Sequence, residues 1–277
     1  MIRIVLLGAA GRMGRAVEAA AAGATDLAVG ARVDVRANIP PGDPLGAPLG
    51  DPLGGGVWNE DVATVVSRGD VVVDFSSPRG TRQAAAACAE KGAALVSGTT
   101  GLSGEDEAAL KAAALRVPVL RAANFSLGLA ALRVALRATL AALPAGWDVE
   151  IVERHHRLKR DSPSGTALVL AEEVRRARAL PESALRHGRE GLAGPRPAGE
   201  VGVHAVRGGS WVGDHQVLLA GEGEWLELRH VAQDRAAFAH GALAAARFAA
   251  TAGPGGYTLE DVLRAAGAAG GRGSPAR

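Results

Sequence analysis

A glycine-rich turn directly after an apolar run constrains this chain more than any other feature. Residues 2–7 read IRIVLL and predict a buried strand, and the next seven residues, GAAGRMG, have the spacing G-x-x-G-x-x-G. Gly8 permits a sharp exit from the strand, Gly11 lets a phosphate approach the backbone, and Gly14 allows close packing of the next helix. The pattern predicts a dinucleotide-binding turn formed by Gly8, Ala9, Ala10, Gly11, Arg12 and Met13.

An acidic residue at the end of the second apolar run supports this interpretation. Asp34 follows LAVGARV and lies 20 residues after Gly14, where a carboxylate accepts hydrogen bonds from the adenosine ribose. A glycine-rich turn with an unrelated surface aspartate is the alternative, but the order strand, turn, helix and acid favours the dinucleotide site. Asp34 disfavours a 2′-phosphate and Arg12 and Arg36 favour one, so these residues leave NADH and NADPH both open.

The order of the remaining apolar runs predicts two domains. Up to residue 126 they alternate with Ala-rich helical stretches, which is typical of a parallel sheet covered on both faces. Beyond it, β-like runs follow one another with few helices between them. We predict an α/β fold with a Rossmann-like doubly wound parallel sheet formed by residues 1–126 and 236–277. A second α+β domain with a mixed open sheet comprises residues 127–235, and the Pro- and Gly-rich segment 38–56 predicts a surface loop.

Composition excludes several classes of protein. The 277 residues are 48% hydrophobic and carry 31 basic against 29 acidic side chains, which permits a large core and does not suggest a nucleic-acid binder. Apolar runs are too short for the ~18–20 residues of a membrane span, and Arg12 and Arg15 interrupt the opening run, unlike a signal sequence. The single cysteine, Cys88, fits a reducing compartment, so we predict a cytoplasmic protein.

Three small, polar loops follow predicted strands of the first domain: residues 74–78, 98–101 and 122–126. Ligands of doubly wound sheets sit beyond the carboxyl ends of the strands. Ordinary helix capping explains any one of these loops. Three such loops in succession favour a surface that contacts the nicotinamide half of a dinucleotide.

The segment 150–174 carries the densest chemistry. It places Glu153, His155, His156, Lys159 and Asp161 within nine residues, from the end of a strand predicted at 147–156 into the loop before the next helix. The loop ends on Pro163 and Ser164. A serine there is a good N-cap, which makes the amides of Gly165 and Thr166 an anion site. Such a cluster suits a small substrate with carboxylate groups and a titratable side chain that supplies a proton.

Other interpretations of this segment are weaker. Adjacent histidines point to opposite sides of an extended chain, and the sequence offers no third ligand nearby, so we predict no metal site. A hydrolase using Ser164 lacks the G-x-S-x-G turn. A charged surface loop before a capped helix is the remaining alternative, and it does not account for the convergence of cations.

Several motifs resemble those of one family, the 4-hydroxy-tetrahydrodipicolinate reductases, formerly called dihydrodipicolinate reductases. The motifs are GAAGRMG, VDFSSP, SGTTG, AANFSLG and, most specifically, ERHHRLKRDSPSGTA, with VRGGSWVGDHQV and HVAQDRAAFAHGAL further on. The resemblance covers nearly the whole chain. It implies NADH- or NADPH-dependent reduction of a cyclic dicarboxylate in the diaminopimelate route to lysine, with loss of water, by a homotetramer.

The resemblance also implies residue roles. Residues 8–13 would hold the pyrophosphate and Asp34 the adenosine ribose. His155 would be the proton donor and acceptor, and Lys159 a proton donor. The substrate carboxylates would be bound by His156 and the segment Ser164, Gly165 and Thr166. The nicotinamide half would contact Gly98, Thr99, Thr100, Ala122, Ala123, Asn124 and Phe125.

The chain departs from the family pattern after the ribose acid. Some members have an arginine there that receives a 2′-phosphate, whereas this chain has Val35, followed by Arg36. We therefore hypothesise that NADH is used at least as well as NADPH. Two other functions stay open at this point: an amino-acid dehydrogenase on a similar scaffold, and a non-catalytic dinucleotide sensor.

Overall fold

The computed structural model describes residues 1–39 and 58–270. The chain forms two compact units, one comprising Met1–Leu127 with Arg235–Arg277 and the other Gly128–Asp234. Most of the Pro- and Gly-rich segment, from residue 40 onward, lies outside the described residues, so its predicted surface loop stays a prediction.

The first unit contains a seven-stranded parallel sheet with the order β12-β6-β5-β4-β1-β2-β3. Its strands are β1 (Ile2–Leu7), β2 (Leu27–Val33), β3 (Trp58–Asn59), β4 (Val71–Asp74), β5 (Ala94–Ser97), β6 (Pro118–Arg121) and β12 (Gly255–Tyr257). Its helices are α1 (Arg12–Ala21), α2 (Pro78–Lys91), α3 (Gly104–Ala114), α6 (Ala236–Ala249) and α7 (Leu259–Gly270). The predicted Rossmann-like sheet is confirmed.

The centre of this sheet is apolar because both of its faces are covered. All four residues of β4 are buried, as are Ile4 to Leu7 of β1, which is the pattern of a parallel strand between two helical layers. β1 lies between β2 and β4. This position is the switch point of a doubly wound sheet, where a crevice opens beyond the carboxyl ends of the strands.

Helix α6 brings a late part of the chain into the first unit. It packs against α1 and against β5. A Cβ at Gly241 would overlap the carbonyl oxygen of Phe125, so only a glycine lets the helix approach the chain after β6 this closely.

The second unit contains a five-stranded sheet with the order β11-β10-β7-β9-β8. Its strands are β7 (Asp148–His155), β8 (Leu185–His187), β9 (Val201–Arg207), β10 (Gly213–Gly221) and β11 (Glu224–Ala232), and its helices are α4 (Leu127–Ala142) and α5 (Gly165–Ala177). β7 pairs in parallel with β9 and antiparallel with β10. The predicted mixed sheet is confirmed.

One face of the mixed sheet packs against the two helices. Buried side chains alternate along β7, so Val149 and Ile151 point to the same face as Glu153 and His155. The apolar pair joins a core with Leu136 of α4. The alternation places an acid and an imidazole at the end of a core-facing row.

Within residues 1–39 and 58–270, no helix is both long enough and apolar enough to span a membrane.

Candidate active site

The glycine turn after β1 has the geometry of an anion site. Gly8 adopts φ +80°, and a Cβ there would lie 2.5 Å from the carbonyl oxygen of Phe75. A Cβ at Gly14 would collide with the carbonyl oxygens of Gly8 and Ala9. Helix α1 has Gly11 as its N-cap, with no side-chain capping bond and no acidic residue in its first turn. The positive end of α1 is thus left for an anion.

Asp34 lies against this turn. Its Oδ2 accepts the amide of Ala10 at 3.0 Å, and its Oδ1 accepts the amide of Val35 at 2.9 Å and the side chain of Asn38 at 2.8 Å. These bonds fix the carboxylate beside the glycine turn, which is where the sequence predicts an adenosine ribose. Val35 and Arg36 beyond it are exposed.

A cavity of about 260 Å³ joins the turn to two of the predicted loops. Its lining comes from the start of α1 and from the loops after β4 and β5, namely Gly11, Arg12, Met13, Phe75, Ser76, Gly98, Thr99 and Thr100. The loops are small and rich in hydrogen-bonding groups, and the glycines keep the backbone accessible. These residues fit a dinucleotide that runs from its pyrophosphate at α1 toward the loops after β4 and β5.

A single buried carboxylate connects these loops. Asp74, at the end of β4, is fully buried and accepts hydrogen bonds from three segments. The hydroxyl of Ser76 lies 2.6 Å from its Oδ1, and the hydroxyls of Thr81, Ser97 and Thr99 lie 2.6, 2.8 and 3.1 Å from its Oδ2. Asp74 therefore sets the spacing between the loops after β4 and β5.

The loop after β6 lies beside this cavity without lining it. Phe125 is buried, and its ring packs edge-on against Phe75 with the centroids 5.3 Å apart. A Cβ at Gly98 would overlap the Phe75 ring and lie 3.0 Å from Cε2 of Phe125. The phenyl ring of Phe125 thus packs against Phe75 and against the loop at Gly98. Ala122, Ala123 and Asn124 are the other residues of this loop that were predicted to contact the nicotinamide half. Their role stays a prediction.

In the second unit, the predicted proton donor His155 contacts a buried carboxylate, that of Glu153. His155 is 8% exposed, and its Nδ1 lies 2.6 Å from Oε2 of Glu153. Its ring also packs edge-on against His215 of β10, with the centroids 5.1 Å apart. Burial and, after it, the charges of His155 and His230 lower the pKa of His215 to about 4. His215 is therefore neutral near pH 7.

The loop between β7 and α5 carries the predicted cations. The amide of His156 donates to the carbonyl of Trp211 at 2.8 Å, and the amide of Lys159 donates to the carbonyl of His156 at 3.0 Å. Nζ of Lys159 lies 2.8 Å from Oδ1 of Asp161, and side-chain bonding to Lys159 is the main reason that the pKa of Asp161 is lowered. The ammonium of Lys159 is thereby held beside Asp161 within the same loop.

Ser164 is the N-cap of α5, as predicted. Its Oγ accepts the amide of Ala167 at 3.2 Å and lies 3.2 Å from Nε2 of His215. Its own amide donates to Oε1 of Glu153 at 2.8 Å. The hydroxyl and the amide of Ser164 thus both form hydrogen bonds within the protein. A ligand at this helix end would contact the amides of Gly165 and Thr166. A Cβ at Gly165 would have no atom within 4 Å, so the space there is open.

Three neighbours of His155 were not identified as site residues from the sequence. The sequence marks Glu153 as one charge of the cluster and gives it no role, and Arg207 and His215 come from β9 and β10, more than 50 residues away. Their pairing depends on strand register, which a local pattern does not carry. A signal for Glu153 exists in the sequence: an acid in the same alternating row as Val149 and Ile151 requires a buried partner.

Among the described residues, no three His, Cys, Asp or Glu side chains are arranged to hold a metal ion.

The two units define a class of enzyme. A dinucleotide-binding Rossmann domain joined to a mixed-sheet domain with acid–base side chains is characteristic of nicotinamide-dependent oxidoreductases. A model of the N-terminus of dihydrodipicolinate reductase matches residues 2–125, and a model of the C-terminus matches residues 128–263. The chain belongs to the dihydrodipicolinate reductase family.

Individual relatives agree. A protein of Thermomicrobium roseum named 4-hydroxy-tetrahydrodipicolinate reductase is 49% identical over 263 residues, which is 95% of this chain and 100% of the relative. The protein of that name from Nitrosomonas eutropha is 40% identical over 264 residues, covering 95% of this chain and 98% of the relative. The similarity to these relatives shows that the chain is a nicotinamide-dinucleotide-dependent oxidoreductase.

Solved structures confirm the fold. The dipicolinate-bound dihydrodipicolinate reductase of Paenisporosarcina sp. TG-14 superposes with a TM-score of 0.73 at 26% identity, covering 95% of this chain and 100% of that one. A diaminopimelate dehydrogenase of C. glutamicum gives a TM-score of 0.51 at 17% identity, covering 94% of this chain and 93% of that one. The diaminopimelate dehydrogenase is thus similar to this chain in fold alone.

Proposed function

We infer that the protein reduces 4-hydroxy-tetrahydrodipicolinate to tetrahydrodipicolinate, a step of diaminopimelate and lysine biosynthesis. The match of two reductase family models across residues 2–125 and 128–263 carries this conclusion. When bound, the reduced nicotinamide supplies a hydride, and the substrate loses water and takes up a proton. The protein's own residues have to bind both molecules, orient them and provide that proton.

We propose that the first unit holds the cofactor along the ends of its strands. Residues 8–13 and the end of α1 bind the pyrophosphate, and Asp34 accepts hydrogen bonds from the adenosine ribose. The nicotinamide half contacts Gly98, Thr99 and Thr100, together with the loop 122–125. The cavity beside the turn supports this arrangement, because it already includes residues from three of these elements.

The substrate's carboxylates bind to the second unit. His156 and the amides of Gly165 and Thr166 form the anion site, and Ser164 caps the helix that presents these amides. The dipicolinate named in the Paenisporosarcina sp. structure is a planar dicarboxylate and supports a substrate of this kind. The open space at Gly165 is consistent with a ligand there.

His155 and Lys159 handle the proton. Hydride transfer leaves negative charge on the conjugated ring, and a group within ~3 Å must neutralise it as it forms. His155 is nearly buried and bonded through Nδ1 to Glu153, so its Nε2 is the nitrogen available to the substrate. Lys159 contributes a positive charge and a second donor from the loop.

We predict that NADH supports at least as high a kcat/KM as NADPH. A 2′-phosphate would approach the carboxylate of Asp34, which already accepts three hydrogen bonds, and Val35 replaces the arginine of some family members. The measurement is hydride transfer to the cyclic dicarboxylate with each cofactor at saturating substrate. A large NADPH advantage contradicts the preference, and no turnover with either cofactor contradicts the function.

We propose a homotetramer, as the family resemblance implies. The face of the mixed sheet opposite α4 and α5 leaves Trp225, Val231 and Val206 exposed by 71%, 52% and 38%. The same face carries Arg154 and Arg229, which both pair with Asp214 at 3.1 and 2.8 Å. A second copy of this chain supplies a matching sheet face, and an apolar surface with fixed ion pairs suits such contact.

Sedimentation tests this assembly. We expect a species of four times the 28.0 kDa chain mass and its dissociation in Trp225→Glu, because a charge on a buried interface opposes association. A monomeric wild-type protein, or a Trp225→Glu variant of unchanged mass, contradicts the proposal.

We propose a cytoplasmic location. Cys88 is buried and unpaired, which agrees with a reducing compartment, and the substrate and cofactor are metabolites of the cell interior.

A further inference from the structure

Glu153 is a buried acid whose oxygens are all engaged. Its side chain is fully buried on the core-facing side of β7. Arg207 of β9 donates to both oxygens at 2.7 Å, and His155 and the amide of Ser164 complete the set at 2.6 and 2.8 Å. Burial alone raises the pKa of Glu153, but the bonds from Arg207, His155 and Ser164 outweigh it and hold the pKa below its usual range. The side chain is therefore a carboxylate at neutral pH.

A carboxylate in this position fixes the state of His155. Because an ionised carboxylate only accepts hydrogen bonds, Nδ1 of His155 carries a proton in the 2.6 Å contact. The opposite nitrogen, Nε2, is then the one left for chemistry. A Cβ at Gly213 would lie 3.3 Å from that Nε2, so the residue beside the reactive nitrogen has no side chain to cover it.

The charges around His155 come from several strands. Glu153 lies on its own strand, Arg207 is its register partner on β9, and His215 faces it from β10. His230 of β11 stacks behind His215 with the ring centroids 6.5 Å apart. His215 is neutral near pH 7, and Arg207 is bound to Glu153. Glu153 is therefore the acid that contacts the imidazole among the described residues.

The same carboxylate reaches the substrate-binding helix. Oε1 of Glu153 accepts the amide of Ser164, the N-cap of α5, while Oε2 accepts Nδ1 of His155. The two oxygens of one carboxylate are about 2 Å apart by covalent geometry. A shift of Glu153 would therefore move the imidazole relative to the helix end that the proposed function assigns to the substrate carboxylates.

We propose that Glu153 is the positioning residue for the reduction: it holds His155 with Nδ1 protonated and Nε2 free, and it fixes this imidazole relative to the N-terminus of α5. Arg207 keeps Glu153 ionised and oriented. The proposal rests on the proposed role of His155 as the proton donor.

The experiment is a double-mutant cycle of Glu153→Gln and His155→Asn, with kcat and KM measured from pH 5 to 10. In the wild-type background, Glu153→Gln should lower kcat on the order of 10–100-fold, with little change in the KM for the cofactor. The alkaline limb of the kcat profile should move to lower pH, because the variant lacks the negative charge that contacts Nδ1 of the imidazole. In the His155→Asn background, adding Glu153→Gln should change kcat by less than about twofold, because the partner is already absent.

A matched control and a second variant keep the result interpretable. Glu172→Gln makes the same change on the surface of α5, where Glu172 pairs with Arg175 and Arg176, and should leave the profile unchanged. Glu153→Gln with Arg207→Gln removes the buried charge pair together, so that no arginine is left unpaired, and should show the same alkaline shift.

Different results would overturn the proposed role of His155 and the positioning role of Glu153. Wild-type turnover in His155→Asn overturns the proposed proton donor and this inference with it. A strong defect in His155→Asn, combined with an unchanged pH profile in Glu153→Gln or a full additional loss in the double variant, overturns the inference about Glu153 alone.

Discussion

Replacing Lys159 with alanine is expected to lower kcat by about 10²–10⁴-fold, the range for loss of a general acid. The side chain of Lys159 is 21% exposed and its ammonium lies 2.8 Å from Asp161. The ion pair therefore holds the ammonium within the loop. We also expect weaker binding of pyridine-2,6-dicarboxylate, a planar mimic of the substrate, because one of the cations facing the carboxylates is lost. Affinity for the cofactor should not change, because the proposed cofactor site consists of residues of the first unit.

The measurements are steady-state kinetics, titration with pyridine-2,6-dicarboxylate and titration with the reduced cofactor. Lys111→Ala is the matched control, because Lys111 is an exposed lysine of α3 and its removal should leave all three quantities unchanged. Unchanged turnover in Lys159→Ala would remove the proton-donor role from this side chain. Loss of cofactor binding as well would point to a disturbed fold.

Replacing Asp74 with alanine is expected to have the largest effect on stability. The hydroxyls of Thr81, Ser97 and Thr99 donate to Oδ2 of this fully buried carboxylate, and the substitution leaves them without that acceptor. Each buried donor without a partner costs about 1–3 kcal/mol, and the costs are not additive. We expect the free energy of unfolding to fall by about 3 kcal/mol or more, measured by urea denaturation.

The milder Asp74→Asn isolates the effect on the cofactor site. The amide keeps the size of the side chain and one acceptor oxygen, so the fold should survive. The loops at Ser76 and Thr99 would lose their common anchor, and the dissociation constant of the reduced cofactor should rise about tenfold or more. Asp61→Ala is the control, because the carboxylate of Asp61 accepts the amide of Ala63 as the cap of a short helical turn, and its loss should cost about 1 kcal/mol with no effect on cofactor binding. A normal dissociation constant in Asp74→Asn would show that the loops hold their places without this acid.

The elements of the first unit were predictable because each one depends on a local pattern. The runs IRIVLL and VVVDF are buried on both faces, so their composition alone indicates strands of a covered parallel sheet. The turn at Gly8 requires a positive φ and a close approach to Phe75, and glycine satisfies both. Ser164 was predictable as a cap because its hydroxyl acts within its own helix turn.

Features that depend on distant partners were not predictable. β12 contains two glycines in three residues and exists because it extends the sheet beside β6. β8 is similarly short and pairs with β9. Arg207 and His215 reach Glu153 only through the register of β9 and β10 with β7, so the loop 155–166 indicated the chemistry but not the side chains that hold His155 in place.

The route of the chain through the sheet of the first unit has a consequence for folding during synthesis. The second unit consists of one continuous segment, Gly128–Asp234, whereas α6 and β12 of the first unit follow it in the sequence. On the ribosome, the apolar surface that α6 covers with Ala242, Leu243 and Ala246 would stay unprotected while the second unit is already complete. The nascent chain would therefore close its cofactor domain last, and the exposed surface is where a chaperone would be expected to bind first.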